Sequence, residues 1–116
     1  MIAGFVVGGT EPQEVLIRAA GPTLGGFGVP DTLAAPQLEL ATLAGDAIDT
    51  NVGWDTAANA ADVAAATTAV GAFEFPAGSA DSALLVTLDP GAYTAKIRGV
   101  GDTTGVVLAE VYSVSD

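Results

Sequence analysis

The chain has 116 residues, the size of a single domain spanning 1–116, and half of them are hydrophobic although only 6% are aromatic, so its core must consist of many small contacts. Fourteen acidic residues against three basic ones give a formal net charge of −11, which repels nucleic acid and anionic membranes. Cysteine and histidine are absent, which excludes disulfides, the usual zinc ligands and every Ser-His or Cys-His nucleophile.

The beginning of the chain predicts a β-hairpin. The runs 2–8 (IAGFVVG) and 13–20 (QEVLIRAA) are rich in β-branched residues, and the GGTEP between them has the composition of a turn. In the second run, apolar residues at alternate positions predict a strand with one buried face and with Arg18 on the other face.

Residues 21–36 contain too many glycines and prolines for a regular element, and we expect an ordered crossing loop. Within it, Asp31 is expected to cap one helical turn that continues to Ala34. Its apolar residues are expected to anchor the loop in the core; they are Leu24, Phe27 and Leu33.

The middle of the chain predicts a second strand pair, 37–42 and 47–51, around the turn at 44–46, with Leu38 and Leu40 pointing inward. The alanine-rich stretch that follows favours a short helix over 57–66, capped by Asp55 or Thr56.

The last third predicts three strands in a meander, 83–88, 92–99 and 105–114, separated by Asp-Pro-Gly and Gly-Asp-Thr-Thr turns. About seven strands with turn signals every 8 to 12 residues predict an all-β fold, a two-sheet antiparallel β-sandwich of the jelly-roll or immunoglobulin-like kind with one short helix. No apolar run approaches the ~20 residues that would span a bilayer, so we expect no membrane insertion.

Four oxygen-bearing side chains lie within ten residues, and oxygen atoms are the ligands that calcium prefers. They are Asp46, Asp49, Asn51 and Asp55. Their spacing differs from that of an EF-hand loop, and turn formation and helix capping are alternative roles for them. We expect either no cofactor or a calcium ion at this cluster.

Trp54 is the single tryptophan, and it predicts either a ligand-binding platform for a sugar ring or a plug at the end of the core. Tyr93 and Tyr112 lie within predicted strands and are expected to pack. The carboxylate pairs Glu11 with Glu14 and Asp46 with Asp49 have no histidine or lysine near them in sequence to divide acid and base roles, so we expect no enzyme.

Three stretches, 3–40, 48–54 and 84–112, resemble a family of repeat-like β-sandwich domains in large secreted proteins of environmental bacteria. The motifs PGAYTA, RGV and TTGV, followed by EVY, recur there in the same order. Residues 88–112 are also similar to the bacterial pre-peptidase C-terminal domain, a β-sandwich of secreted proteases. The resemblance implies an extracellular or cell-surface β-domain without established catalytic activity. Because Met1 is not followed by a basic start and an apolar signal-type core, we expect either a mature product or a domain cut from a longer precursor.

The chain departs from this family in two places. Family members commonly have another strand-like stretch before the segment that matches Ile2, so a sheet edge is expected to be open to a strand from a neighbour. The acidic turn of the family appears here as NVGWD with one carboxylate fewer, which weakens any metal site there.

These observations predict a structural module that associates with copies of itself into a fibre or surface assembly through strand edges. The residues expected to mediate self-association are Ile2, Phe5, Val6 and Val7. The alternatives are a module that binds carbohydrate or a surface polymer and, third, a C-terminal sorting or secretion domain.

Overall fold

The computed structural model describes residues 1–114, which form two antiparallel β-sheets packed face to face and a ten-residue helix. The strands of this part of the chain are β1 (Ile2–Val7), β2 (Gln13–Ala20), β3 (Pro36–Thr42), β4 (Ala47–Val52), β5 (Ser82–Leu88), β6 (Gly91–Gly99) and β7 (Leu108–Val114). The helices are α1 (Pro22–Gly25) and α2 (Ala60–Ala69), with 3-10 turns at Trp54–Thr56 and Val100–Asp102. The predicted all-β, two-sheet sandwich is confirmed.

The larger sheet has the strand order β1-β6-β3-β4, and the smaller sheet has the order β5-β2-β7. β4 contacts β5 across the sandwich, and β3 contacts β2 and β5. The edge strands β4 and β5 therefore lie on one side of the sandwich, here called the β4/β5 side. The edge strands β1 and β7 lie on the other, here called the β1/β7 side.

Two predicted strand pairings are wrong. β1 and β2 do not form a hairpin, because β1 pairs with β6 whereas β2 is the central strand of the smaller sheet. β5, β6 and β7 do not form a meander, because β6 lies between β1 and β3 while β5 and β7 flank β2. The turns that follow β1 and β5 thus connect the two sheets. The β3–β4 hairpin is confirmed.

The space between the sheets holds the main core, in which the apolar side chains of both inner faces meet. Its buried members are Val7, Val15, Ile17, Ala19, Leu33, Leu38, Leu40, Leu84, Leu88, Tyr93, Ala95 and Ile97. Leu38 and Leu40 point inward as expected, and both are fully buried. Tyr93 packs as expected, and its hydroxyl donates to the carbonyl oxygen of Asp89 at 2.6 Å, which resembles the tyrosine corner of β-sandwiches.

β2 is buried on both faces, so the expected strand with one exposed face is wrong. Leu16, Arg18 and Ala20 point away from the main core, yet all three have an exposure of 0%. Leu16 and Ala20 lie in a second apolar cluster beneath α2, together with Val63 and Phe75, and the Arg18 guanidinium lies over the Phe75 ring. Because the covering residues come some 40 to 60 positions later, the local pattern of β2 does not reveal them.

The long loop and the helix differ from the expectations in detail. Leu24 and Leu33 are buried anchors, as expected. Phe27 is not an anchor in the core: it is 63% exposed, and its ring packs against Phe73 at the surface. Asp31 does not begin a helical turn: its backbone has a positive φ of 56°, and the next residue forms a parallel bridge with the segment before β7.

The predicted helix exists, but it lies three residues later than expected, and its N-cap position is Asn59 instead of Asp55 or Thr56. Asp55 and Thr56 belong to the preceding 3-10 turn. Neither helix of the described residues is long and apolar enough to cross a membrane.

Candidate interaction surface

β1 is the outermost strand of the larger sheet on the β1/β7 side, and its sequence IAGFVV contains no charged residue and no proline. Its register against β6 is continuous from Ile2 opposite Lys96 to Val7 opposite Gly91. Exposed edge strands of natural proteins are commonly interrupted by charges, prolines or bulges that prevent pairing with other chains. β1 has none of these features.

The backbone groups at the open edge of β1 can be identified from the hydrogen bonds on its other edge. The Met1 amino group donates to the Ile97 carbonyl oxygen at 2.9 Å, and the Ile97 N–H donates to the Met1 carbonyl oxygen at 2.8 Å. Antiparallel strands alternate between bonded and non-bonded pairs. The N–H and C=O groups of Ile2, Gly4 and Val6 therefore point away from β6.

The side chains of β1 divide between two roles. Ile2 and Val6 are 67% and 75% exposed on the outer face of the sheet. Phe5 is half-buried and stacks on Tyr93 with ring centroids 5.6 Å apart, and Val7 is buried in the main core. Of the four residues predicted to mediate self-association, Ile2 and Val6 thus present both backbone and side chain to a neighbour, whereas Phe5 and Val7 hold the strand in place.

Positive charge is concentrated beside this edge. The chain has three basic residues, of which Arg18 is buried while Lys96 and Arg98 are exposed on the outer face of β6. Lys96 lies opposite Ile2, and Arg98 forms an exposed ion pair with Glu39 at 3.6 Å. Two of the three basic side chains therefore lie on the outer face of the larger sheet, near the first residues of β1.

β4, the opposite edge of the same sheet, also has backbone groups that point outward. The Leu43 N–H donates to the Ala92 carbonyl oxygen, so odd-numbered residues of β3 bond to β6 and even-numbered ones bond to β4. From the β3–β4 register, the backbone groups of Thr50 and Val52 then face away from β3.

Side chains bond to two of the four outward backbone groups of Thr50 and Val52. Asp49 Oδ1 accepts the Thr50 N–H at 2.8 Å, and the Thr56 hydroxyl lies 3.1 Å from the Val52 carbonyl oxygen and 2.8 Å from the Gly53 carbonyl oxygen, between which it shares its hydrogen. A register shift in the β3–β4 pair adds a bulge at the start of the strand. An incoming strand would have to displace these bonds before it could pair with β4.

The neighbouring edge, β5, is covered in the same way by two asparagines. Asn51 Oδ1 accepts the Ala83 N–H at 3.1 Å, while its Nδ2 donates to the Gly53 carbonyl oxygen at 3.1 Å. Asn59 Nδ2 donates to the Leu85 carbonyl oxygen at 3.3 Å. The β4/β5 side is therefore held together by side-chain bonds to backbone, and sequence patterns alone did not identify this role for Asn51 and Asn59.

The four residues predicted to bind calcium have separate local partners. Asp46 lies in the β3–β4 turn, where its N–H donates to the Thr42 hydroxyl. Asp49 and Asn51 make the backbone bonds of β4 and β5, and Asp55 Oδ2 accepts the Gly78 N–H at 2.6 Å. Within residues 1–114, no three acidic, histidine or cysteine side chains form a metal-binding group. Calcium binding by this cluster stays a prediction.

A buried ionic cluster lies on the outer face of the smaller sheet. Arg18 Nη1 donates to the Phe73 carbonyl oxygen at 2.6 Å, and Arg18 Nε donates to Glu110 Oε1 at 3.2 Å. Its guanidinium carbon lies 3.9 Å from the ring centroid of Phe75, a cation–π distance. Glu110 also accepts the Tyr112 hydroxyl, and this bond, then burial, raises the pKa of Tyr112. The cluster fastens the segment after α2 onto the sheet.

Trp54 is half-buried at the edge of the second apolar cluster. Its indole Nε1 donates to the Pro76 carbonyl oxygen at 2.9 Å. The side chain also lines a cavity of about 200 Å³, together with Thr68, Glu74 and Phe75. Trp54 therefore packs beneath α2 rather than in the main core, and part of its surface lines a small cavity.

No family model matches the chain, and comparisons with curated proteins and with solved structures found no significant match.

Proposed function

We propose that this chain is a non-catalytic structural module of a secreted or cell-surface protein, and that it associates with copies of itself through strand edges. The observation that carries the proposal is the difference in cover between β1 and the edges of the β4/β5 side. β1 has three residues with outward-facing backbone groups, and no side chain of residues 1–114 hydrogen-bonds to them. A strand from another copy satisfies these groups directly.

The expected affinity of one such contact is modest. Each intramolecular-type hydrogen bond contributes a net free energy of about 0.5–1.5 kcal/mol, and association must first offset the lost freedom of two molecules. The net charge of −11 adds repulsion between copies, which salt screens. We therefore expect association at high protein concentration, with stronger binding where many modules are linked in one chain or fibre.

A fibre or surface layer needs a second contact besides a strand edge, and the outer face of the larger sheet supplies a candidate. Val6 lies opposite Ala92, and Leu43 follows on the next strand, where its N–H bonds to the Ala92 carbonyl oxygen at 3.0 Å. Val6 and Leu43 are 75% and 69% exposed. This apolar row at one end of the sheet supports face packing between assembled copies.

The experiment compares one substitution at the two edges of the same sheet. Val6→Lys places a charge at the open edge, and Thr50→Lys places the same charge at the covered edge of β4. Both variants change the net charge equally, from −11 to −10. Light scattering and sedimentation velocity across a wide concentration range then report the association state of each protein.

We expect the wild type and Thr50→Lys to associate as concentration rises, more so in added salt, and Val6→Lys to stay monomeric. A wild type that stays monomeric at the highest concentration overturns the proposal. Equal association of both variants shows instead that the β1 edge does not mediate the contact. Urea denaturation of all three proteins checks that the substitutions leave the fold intact.

A second candidate function is binding of carbohydrate or a surface polymer, and the cavity beside Trp54 favours it. A half-exposed indole with Glu74 and Thr68 nearby combines an apolar platform with hydrogen-bonding groups, as sugar sites do. Screening on a glycan array tests this function, with Trp54→Ala as the variant expected to lose at least tenfold in affinity for any glycan bound. An array without a wild-type signal excludes it for the glycans tested.

A further inference from the structure

We propose that β1 pairs antiparallel with β1 of a second copy about a two-fold axis at Gly4, so that the two larger sheets join into one sheet of eight strands. This inference rests on the proposed self-association and specifies its geometry. It commits the open edge to an identical partner, and the contact closes as a pair because both copies use the same residues.

The outward-facing residues of β1 fit this arrangement because a β-branched apolar residue lies two positions on either side of Gly4. They are Ile2 and Val6. With Gly4 opposite Gly4 of the second copy, Ile2 lies opposite Val6 of the second copy, and Val6 lies opposite its Ile2. All three are positions whose N–H and C=O groups point to the open edge. Each pair therefore exchanges two hydrogen bonds, and the apolar side chains meet on the outer face.

Nothing in the fold of a single copy requires a glycine at position 4. A Cβ atom at Gly4 would meet only the Tyr93 carbonyl oxygen, at an ordinary distance of 3.9 Å, and its φ is not positive. Glycine inside a strand is destabilising relative to alanine and often marks close approach of another backbone. The centre of the proposed pair is such a place.

Charge also favours the antiparallel pair. The end of β1 near Ile2 lies beside Lys96 and Arg98, whereas the end near Val7 lies beside the acidic turn that contains Asp89. Antiparallel pairing places the basic end of each copy next to the acidic end of the other, and parallel pairing would place like ends together. The contact also avoids the acidic β3–β4 turn.

The other strand edges, β4 and β7, are less suitable partners for β1 than β1 of a second copy. Pairing β1 with β4 of the next copy would continue the antiparallel order into an open fibre, but the Thr50 N–H and the Val52 carbonyl oxygen are already bonded to Asp49 and Thr56. β7 carries Glu110, which forms a salt bridge with Arg18, near its centre. β1 itself remains the partner with the fewest obstacles.

Single cysteines test the register, because the chain contains no cysteine of its own. In the proposed pair, position 2 of one copy faces position 6 of the other with a Cα–Cα distance of about 5.5 Å, which a disulfide spans. Position 2 lies about 14 Å from position 2 of the second copy, since the two are four residues apart along the strands. A mixture of Ile2→Cys and Val6→Cys therefore cross-links, and neither variant alone does.

The mixture is oxidised mildly at a concentration where the wild type associates, and disulfide-linked dimers are measured on a non-reducing gel. In an equal mixture, random pairing makes about half of the pairs mixed at any moment. Because weak pairs exchange partners while disulfides form, we expect the cross-linked share of the associated protein to reach at least one half. Light scattering of the reduced mixture checks that it associates like the wild type. Thr50→Cys, mixed with either variant, reports pairing of β1 with β4.

Cross-linking confined to the Ile2→Cys and Val6→Cys mixture supports the two-fold pair. Cross-linking with Thr50→Cys, equal cross-linking in every mixture, or association without any cross-link overturns the pair but leaves self-association standing. A wild type that never associates overturns both this inference and the proposed function.

Discussion

The two sides of the sandwich differ in whether side chains hydrogen-bond to the backbone groups at their strand edges. On the β4/β5 side, Asp49, Asn51 and Asn59 bond to backbone groups at the edges of both sheets. On the β1/β7 side, β1 presents the backbone of three residues without such cover. Both β1 and β4 are short edge strands of one sheet, so the difference comes from side chains and from the bulge in β4, and not from the order of the strands.

A few polar side chains are therefore enough to make one strand edge less available to a neighbouring chain than another. A short carboxylate, amide or hydroxyl can bond to a backbone group close to it in space and so occupies the position of a neighbouring strand. β1 has only apolar residues and glycine, none of which can do this. In the proposed association, the covered β4/β5 side leaves the β1/β7 side as the one available to a neighbour, which limits uncontrolled aggregation of a chain rich in strands.

The largest expected effect comes from removing the cover that is most deeply buried. Asn51 is 6% exposed and bonds both to Ala83 and to Gly53. In Asn51→Ala, the buried Ala83 N–H loses its acceptor, and we expect the free energy of unfolding to fall by about 2 kcal/mol. Urea denaturation followed by Trp54 fluorescence measures the change.

Asn59→Ala is the matched control, because it removes an asparagine that bonds to the same edge from a half-buried position at 3.3 Å. We expect this variant to lose less than about 1 kcal/mol. If the two alanine variants lose the same amount, burial of the Asn51 amide is not what stabilises the β4/β5 side.

The positions of the strands could be predicted from the sequence, but their partners could not. Alternating apolar residues and turn signals depend on neighbours in sequence, and they located the β3–β4 hairpin and the strands of the last third. A short turn joins two strands equally well within one sheet or between two sheets. The pairing of β1 with β6 spans some 90 residues, and no local pattern encodes it.

The candidate surface could be predicted only in part, because sequence patterns depend on neighbours in sequence and not on neighbours in space. The apolar run that contains Ile2 and Val6 predicted a strand, and the resemblance predicted that a sheet edge there is open. Asn51 was interpreted as a metal ligand because oxygen-bearing side chains cluster around it in sequence. Its structural partner, the Ala83 N–H, lies 32 residues later, and only the folded chain brings the two together.

The smallest expected effect on folding comes from removing the side chains that bond to the edge of β4. This change tests the difference between the β1 and β4 edges most directly. Asp49→Val with Thr56→Val removes the two side chains that bond to Thr50 and Val52. Because Thr50 and Val52 are exposed, water replaces both bonds, and we expect the free energy of unfolding to change by less than about 1 kcal/mol. The outward backbone groups of β4 then lack side-chain partners among residues 1–114, as those of β1 do, and the bulge remains.

Adding Val6→Lys to this double variant blocks β1, so any remaining association must use another edge. We expect the triple variant to associate several-fold more strongly than Val6→Lys alone in sedimentation velocity. Loss of one negative charge also lessens repulsion between copies, and Asp46→Val with Val6→Lys controls for it because Asp46 lies in the turn and not along the edge. Equal association of the triple variant and this control means that the side chains on β4 do not prevent strand pairing. In that case the bulge in β4, rather than Asp49 and Thr56, is what distinguishes the two edges.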